Sequence, residues 1–142
     1  MHVVTQLDVR ECQDCLCFAA RRAARAVTQQ YDNELRPTGL RATQFTLLVV
    51  LANAGAKPLS EVAVILGVER TTLTRNLGPL LARGYVADLA GEDRRIRLLS
   101  ITKRGKDAVR RALPLWRKAQ ARVATRVGSR AGPILRALSE IV

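Results

Sequence analysis

Histidine is almost missing from this sequence of 142 residues, the sole one being His2. Without a second histidine, a Ser/His or Cys/His pair for nucleophilic catalysis has no place in the body of the chain. A glycine-rich phosphate loop ending in Lys-Ser or Lys-Thr is also lacking. Adjacent carboxylates occur at Glu92 and Asp93, but a charged turn beside arginines explains them better than acid/base chemistry. An enzyme is not expected, and no cofactor is called for. Long apolar runs are missing too. The longest clear one, Phe45 to Ala52, falls far short of the roughly 20 residues that span a bilayer. The N-terminus lacks the basic start and apolar stretch of a secretory leader, so the expected location is cytoplasmic with no membrane partner. Acidic residues are the third scarcity: 12 Asp and Glu face 24 Lys and Arg, a formal charge of +12. Between Lys103 and Ala137 only Asp107 is acidic. Such a surplus points to a polyanion, either nucleic acid or an acidic surface.

What is present is organised around Leu59 to Arg83. Ser60 is placed to cap a short helix that turns Val62, Ala63, Ile65 and Leu66 inward, and Gly67 supplies a permissive backbone at its end. A second helix is expected from about Glu69. At 100° per residue, Leu73, Leu77, Leu80 and Leu81 share one side, and Thr71, Thr72 and Arg75 share the other. Arg can fork onto a guanine edge, and Thr can bond a base or meet a thymine methyl. Two helices around a tight turn with such a face read as a helix-turn-helix. Gly78-Pro79 falls inside the second helix and predicts a kink there. Beyond Gly84, Tyr85 to Leu89 and Ile96 to Ile101 read as strands around the charged turn Gly91-Glu92-Asp93-Arg94-Arg95. A hairpin with a basic tip beside a helix-turn-helix is a wing, and a wing arginine suits a narrow minor groove.

Here the chain resembles the MarR-type winged-helix transcriptional regulators over nearly its whole length. Asp93-Arg94-Arg95, then Leu99-Ser100-Ile101-Thr102 and Gly105, is similar to the family's wing signature. Glu69-Arg70-Thr71-Thr72-Leu73-Thr74-Arg75, with Gly39-Leu40 and Gln44-Phe45 before it, is similar to its recognition helix and approach. The resemblance implies that Arg95 enters the minor groove and that Asp93 holds the wing. Candidate DNA-binding residues are therefore Arg70, Thr71, Thr72, Thr74, Arg75, Asn76, Arg94 and Arg95.

The flanks are helical in pattern. Met1 to Arg10 reads as an arm, followed by a long helix from near Glu11 to about Leu35, whose small apolar face is Cys12, Leu16, Ala19, Ala23 and Val27. A helix over about Ala42 to Ala54 and a loop from Asn53 to Pro58 lead into the helix-turn-helix. Thr102 can cap a helix from about Lys103 to Val127, bent or interrupted by Pro114, and a last helix follows Gly132-Pro133. The basic residues from Arg110 to Arg136 read mostly as a solvated face. Leu113, Trp116, Val123, Ile134, Leu135, Leu138, Ile141 and Val142 are too many for terminal helices to bury alone. A second copy of the chain is expected to cover them. The fold class is thus mainly α with a small β-hairpin wing. It comprises 1–36 as arm and dimerisation helix, 37–102 as the winged helix-turn-helix lobe, and 103–142 as C-terminal dimerisation helices. In the resembling family the terminal helices interlock, placing two recognition helices about one DNA turn apart on a pseudo-palindrome.

The cysteines and arginines suggest the effector. Leu16-Cys17-Phe18-Ala19 resembles the start of the first helix in the family's organic-hydroperoxide-sensing branch, where the matching cysteine reacts with peroxide. That chemistry needs a thiolate, favoured at a helix N-terminus. Tyr31 matches one activating tyrosine of that branch, whereas the other two positions hold Arg21 and Ala42. Cys17 and Tyr31 on one helix would stand about 21 Å apart, so they could meet only across a dimer. Cys17 as a packed, inert thiol is the alternative. Cys12-x-x-Cys15-x-Cys17 is a poor disulfide framework and offers too few paired ligands for a structural zinc site, so no metal is expected. A small aromatic or apolar acid between the lobe and the dimer helices is the family's usual effector. Arg21, Arg25 and Arg41 are the candidates to meet its carboxylate. The expected function is a dimeric, sequence-specific regulator of double-stranded DNA, a repressor released by such an acid. One alternative is a thiol-based repressor using Cys17. Another, of a different class, is a basic protein that binds nucleic acid or membrane surfaces without sequence preference.

Overall fold

Leucines at helical spacing draw the middle of the chain around one core, and short strands close it at one side. The computed structural model describes residues 7–90, 95 and 97–142. Among these the elements run α1 Leu16–Leu35, α2 Ala42–Ala54, β1 Lys57–Pro58, α3 Leu59–Leu66, α4 Arg70–Ala82, β2 Val86–Ala90, β3 Arg97–Ile101, α5 Lys103–Val127 and α6 Ala131–Ser139. The sheet is antiparallel in the order β1-β3-β2. Leu47, Leu48 and Leu51 of α2 form the centre of the core with Val62 of α3, Leu77 of α4 and Leu99 of β3. Phe45 stacks on Trp116 at 6.2 Å between ring centres, so α5 is seated on α2 and Trp116 is half-buried within its own chain rather than left for a partner. The architecture is mainly helical with a small sheet, as expected.

Several boundaries differ from the sequence reading, each for a physical reason. The first long helix starts at Leu16, not near Glu11. Arg10–Asp14 forms a separate 3-10 turn with no buried residue, and a turn with nothing to pack against gains no tertiary support for continuing as α-helix. Cys15 is extended and caps α1, its Sγ accepting from the Phe18 amide at 3.5 Å. Ser60 does not cap α3. Lys57 and Pro58 pair with Leu99 and Leu98 as a sheet edge, so the chain is extended up to Pro58 and the helix begins at once with the buried Leu59. Ile65 does not face inward. Leu59, Val62, Ala63 and Leu66 occupy one arc of α3, which leaves Ile65 53% exposed. Pro114 does not interrupt α5. It is exposed, so water can meet the Arg110 carbonyl that loses its helical donor. The last helix starts at Ala131, with Pro133 in its first turn, where a missing amide is harmless.

One corner joins α4, β2, β3 and α5. The Thr102 hydroxyl accepts from the Gly105 amide at 3.0 Å, capping α5 as expected, and donates to the Gly84 carbonyl at 2.6 Å. The Thr102 amide donates to the Tyr85 carbonyl at 3.0 Å. Gly105 is required here by space, because a Cβ would lie 2.2 Å from the Tyr85 carbonyl oxygen. Gly105→Ala is therefore expected to lower the unfolding free energy by about 1–3 kcal/mol, seen as a lower urea midpoint at unchanged slope. An unchanged midpoint would show that α5 does not approach Tyr85 closely.

Candidate nucleic-acid interface

The turn between α3 and α4 is short because Gly67 adopts a left-handed backbone at φ +65°. Its amide reaches the Val64 carbonyl at 3.1 Å, and the Val68 amide reaches the Ala63 carbonyl at 3.0 Å. These bonds close α3 and release the chain into α4 after only Gly67, Val68 and Glu69. In α4, Leu73, Leu77 and Leu80 are buried, while Leu81 is half-buried. The opposite side presents Arg70, Thr71, Thr72, Thr74 and Arg75 to solvent, with Asn76 half-buried at its edge. The helix runs through Gly78-Pro79 to Ala82. Pro79 is exposed, so the Arg75 carbonyl that lacks a helical donor can be met by water.

These side chains are not equally available. The Thr74 hydroxyl donates to the Arg70 carbonyl at 2.8 Å and is spent on its own helix. Asn76 accepts from the Thr43 hydroxyl at 3.5 Å, a long contact that ties α4 to α2. Among the described residues, Thr71, Thr72, Arg70 and Arg75 have no side-chain partner, so their donors and acceptors are open to a ligand. A surface cleft lined by Ser60, Val64, Glu69, Arg70 and Thr71 runs along the junction of α3 and α4.

The wing lies beside this face. Its ladder runs from Val86↔Ile101 to Ala90↔Arg97. Arg95 is exposed and in a turn. Asp93 and Arg94 lie outside the described residues. Sequence reading missed the acid that is seen to brace this hairpin: Asp88 Oδ2 accepts from Arg97 Nε at 2.7 Å. The pair is diagonal across β2 and β3, and would have been found once the register was fixed.

The remaining candidates lie elsewhere. Cys12, Cys15 and Cys17 are free and exposed. Among the described residues, no three His, Cys, Asp or Glu side chains gather as a metal site. Tyr31 is not beside Cys17; its hydroxyl donates to Gln120 Oε1 of α5, and burial pushes the phenol pKa up. Glu34, one turn further along α1, meets Arg122 at 2.6 Å and Lys118 at 3.8 Å, adding a second tie between α1 and α5. Arg25 and Arg41 line a cleft of about 620 Å³ between α1 and the segment Gly39 to Arg41, whereas Arg21 does not. Arg36, unremarked in the sequence although it stands at the end of a helix, joins them. In the same cleft Asp32 Oδ1 accepts from the Ala42 amide at 2.7 Å, capping α2 from the side of α1. No helix among the described residues is long and apolar enough to cross a membrane.

Helix, turn, helix and hairpin in this order, with the polar face of the second helix outward, define a winged helix-turn-helix protein. The family model for the MarR family matches residues 38–96. An HTH-type transcriptional regulator of Bacillus subtilis, YwoH, is 32% identical over 88 residues, 62% of this chain. The match spans 64% of that relative's length. Among solved structures, the M. tuberculosis transcriptional regulator MosR in complex with DNA is 42% identical, with 90% of this chain and 93% of that one covered at a TM-score of 0.82. The transcriptional repressor CouR bound to a 23-mer DNA duplex is 26% identical, with 96% and 99% covered at a TM-score of 0.82. The chain belongs to the MarR family of DNA-binding transcriptional regulators.

The Asp88 and Arg97 side chains are 31% and 41% exposed, which limits their pair to under about 1 kcal/mol of global stability. Asp88→Asn is expected to leave the thermal midpoint within a few degrees but to speed amide exchange in β2 and β3 while α2 stays protected. Unchanged hairpin exchange would remove the brace assigned to this pair.

Proposed function

We propose that the protein is a homodimeric, sequence-specific repressor that reads a pseudo-palindromic operator and is released by a small aromatic or apolar acid. The observation that carries the reading is the outer face of α4, where Arg70, Thr71, Thr72 and Arg75 stand exposed over a helix anchored by three buried leucines. Thr71, Thr72 and Arg75 are assigned to base edges, and Arg70, Thr74 and Asn76 to the flanks of the same groove. Arg95, with Arg94, belongs to the wing and the neighbouring minor groove. MosR and CouR, similar along almost the whole chain, were solved on DNA, and this supports the assignment.

Dimerisation is supported by what one chain leaves uncovered. Leu16 is 85% exposed and Phe18 is 59% exposed on α1. Leu135, Leu138 and Ile141 are exposed at the other terminus. A lone helix as open as the first turns of α1 is marginal in water, whereas a second copy gives it a core. The acid effector is assigned to the cleft bearing Arg25, Arg36 and Arg41, where guanidiniums can fork onto a carboxylate. Release then follows from linkage: the acid must bind the arrangement with the wrong helix separation better than the DNA-bound one.

A second reading, peroxide sensing, is favoured by the exposure of the Cys17 thiol at the start of α1. Its thiolate would attack the outer oxygen of an organic hydroperoxide, break the O–O bond and become a sulfenic acid, while the alkoxide leaves as the alcohol after taking a proton. Selection from a randomised duplex pool, with and without an aromatic acid and after mild peroxide, tests both readings. An enriched palindrome supports the repressor, and charge-driven binding without enrichment removes it. Arg75→Ala is expected to lose about 1–3 kcal/mol of discrimination at one base position. Uniform weakening of all sequences, with a shallower salt dependence, would make Arg75 a phosphate contact instead. Cys17→Ser is expected to abolish peroxide-triggered release if the thiol is the sensor, and full release by that variant would end the second reading.

A further inference from the structure

The recognition helix α4 is intrinsically weak at its C-terminal end. Gly78 lowers helix propensity, and Pro79 contributes no amide to the ladder. The last turn closes through the Arg83 amide to the Pro79 carbonyl at 3.0 Å, and the chain then turns at Gly84 with φ +71°. Two side-chain contacts tie this end to the rest of the chain. On one side is the Thr102 hydroxyl on the Gly84 carbonyl. On the other, Arg83 reaches across 44 positions of sequence to the corner between α1 and α2, where its Nη1 donates to the Gly39 carbonyl at 3.0 Å. Its guanidinium carbon also lies 5.0 Å from the centre of the buried Tyr85 ring, within reach of a cation–π contact. Gly39 is suited to receive it: its φ is +73°, and a Cβ there would stand 2.7 Å from Arg83 Nη2.

We propose that Arg83 is a positioning residue that sets the tilt of the recognition helix against the α1–α2 corner, and thereby the separation of the two recognition helices in the dimer. It acts through Gly39 and Tyr85 rather than by touching DNA. α1 carries one of the apolar surfaces left open for a second copy, and α4 carries the reading face. Arg83 fastens the end of the reading helix to the end of the α1 segment. A guanidinium suits this task because one plane both donates to a carbonyl and stacks on a ring, which a lysine ammonium cannot do with fixed geometry. The inference rests on the reading of α4 as the operator-binding element of a dimer.

Duplexes carrying the selected half-sites at the preferred spacing, and with one or two base pairs inserted or removed, test it. Wild type, Arg83→Ala and Arg83→Lys are titrated on each duplex at two salt concentrations. Wild type is expected to weaken by about tenfold or more at each wrong spacing, the scale of one lost base-specific contact. Arg83→Ala is expected to compress that difference to about threefold or less at an unchanged salt slope. Arg83→Lys, which retains the charge, is expected to behave like the alanine variant. A merely structural role would lower the active fraction equally on every duplex and leave the spacing profile in place, which would overturn the proposal. Uniform weakening with a salt slope shallower by about 1 would also overturn it, making Arg83 a phosphate contact. Should Arg83→Ala fail to fold, Arg83→Lys decides by the same criterion: a wild-type spacing profile rejects the role and a compressed one supports it. Failure of the underlying reading would look different, since wild type itself would then enrich no palindrome.

Discussion

The burial of Leu73, Leu77 and Leu80 is the constraint on which the rest of the molecule depends. Each is at most 1% exposed, and burying a leucine is worth about 1.5–3 kcal/mol. Together they fix the rotation of α4 about its own axis. A turn by one residue, 100°, would lift leucines into water and drive Thr72 or Arg75 toward the core without partners, at a cost well above any gain from altered contacts. The outward direction of the polar face is therefore a consequence of core packing. Mutations that loosen these leucines would therefore disturb the face that the proposed function assigns to DNA, although the leucines themselves lie on the buried side of α4.

The second requirement is that the wing and α4 keep a fixed relation, and the corner at Tyr85 supplies it. The chain leaves α4, enters β2 and returns along β3 to α5 within a few residues of the same carbonyl. Thr102 bonds both Gly84 and Gly105 there, so one hydroxyl links the end of α4 to the start of α5. The missing side chain at Gly105 lets the helix approach that close. Along the hairpin, Asp88 and Arg97 join the two strands toward the tip, opposing the splay to which a two-stranded ribbon is prone.

Much of this was legible in the residues, and the failures share a pattern. Leucine spacing gave the buried side of α4, Gly67 gave the turn, and Thr102 gave the cap of α5, because each depends on neighbours within a few positions. Ser60 misled because its local capping preference was overruled by a pairing with β3 some 40 positions away. Lys57-Pro58 carries no strand pattern at all, and a proline is tolerated there because the strand lies at the sheet edge. Pro79 and Pro114 left their helices unbroken, since both are exposed and water can complete the backbone. At the candidate site, the outward placement of Thr71, Thr72 and Arg75 could be read from helical spacing. The loss of the Thr74 hydroxyl to its own helix could not, nor could the contacts of Asp88 and Arg83. Those depend on strand register and on a corner formed by distant segments.

The same geometry limits how any effector could act on DNA binding. A ligand beside α1 alters operator affinity only if it changes how α1 meets the DNA-binding lobe, because binding both arrangements equally shifts nothing. Several described polar ties converge on that junction. Thr38 donates to the Leu35 carbonyl and accepts from the Leu40 amide, shaping the end of α1. Asp32 caps α2, and Arg83 holds Gly39. The 620 Å³ cleft is walled by Asp32, Gly39, Leu40 and Arg41, and three of these ties run through Asp32, Gly39 and Leu40. In the proposed mechanism, an entering carboxylate meets the same cationic surroundings as the Asp32 carboxylate and the same positive end of α2. Like charges in one small space repel. In that proposal, an acid settling among Arg25, Arg36 and Arg41 releases the operator only if its charge weakens the hold of Asp32 on the Ala42 amide and so changes how α1 meets the lobe.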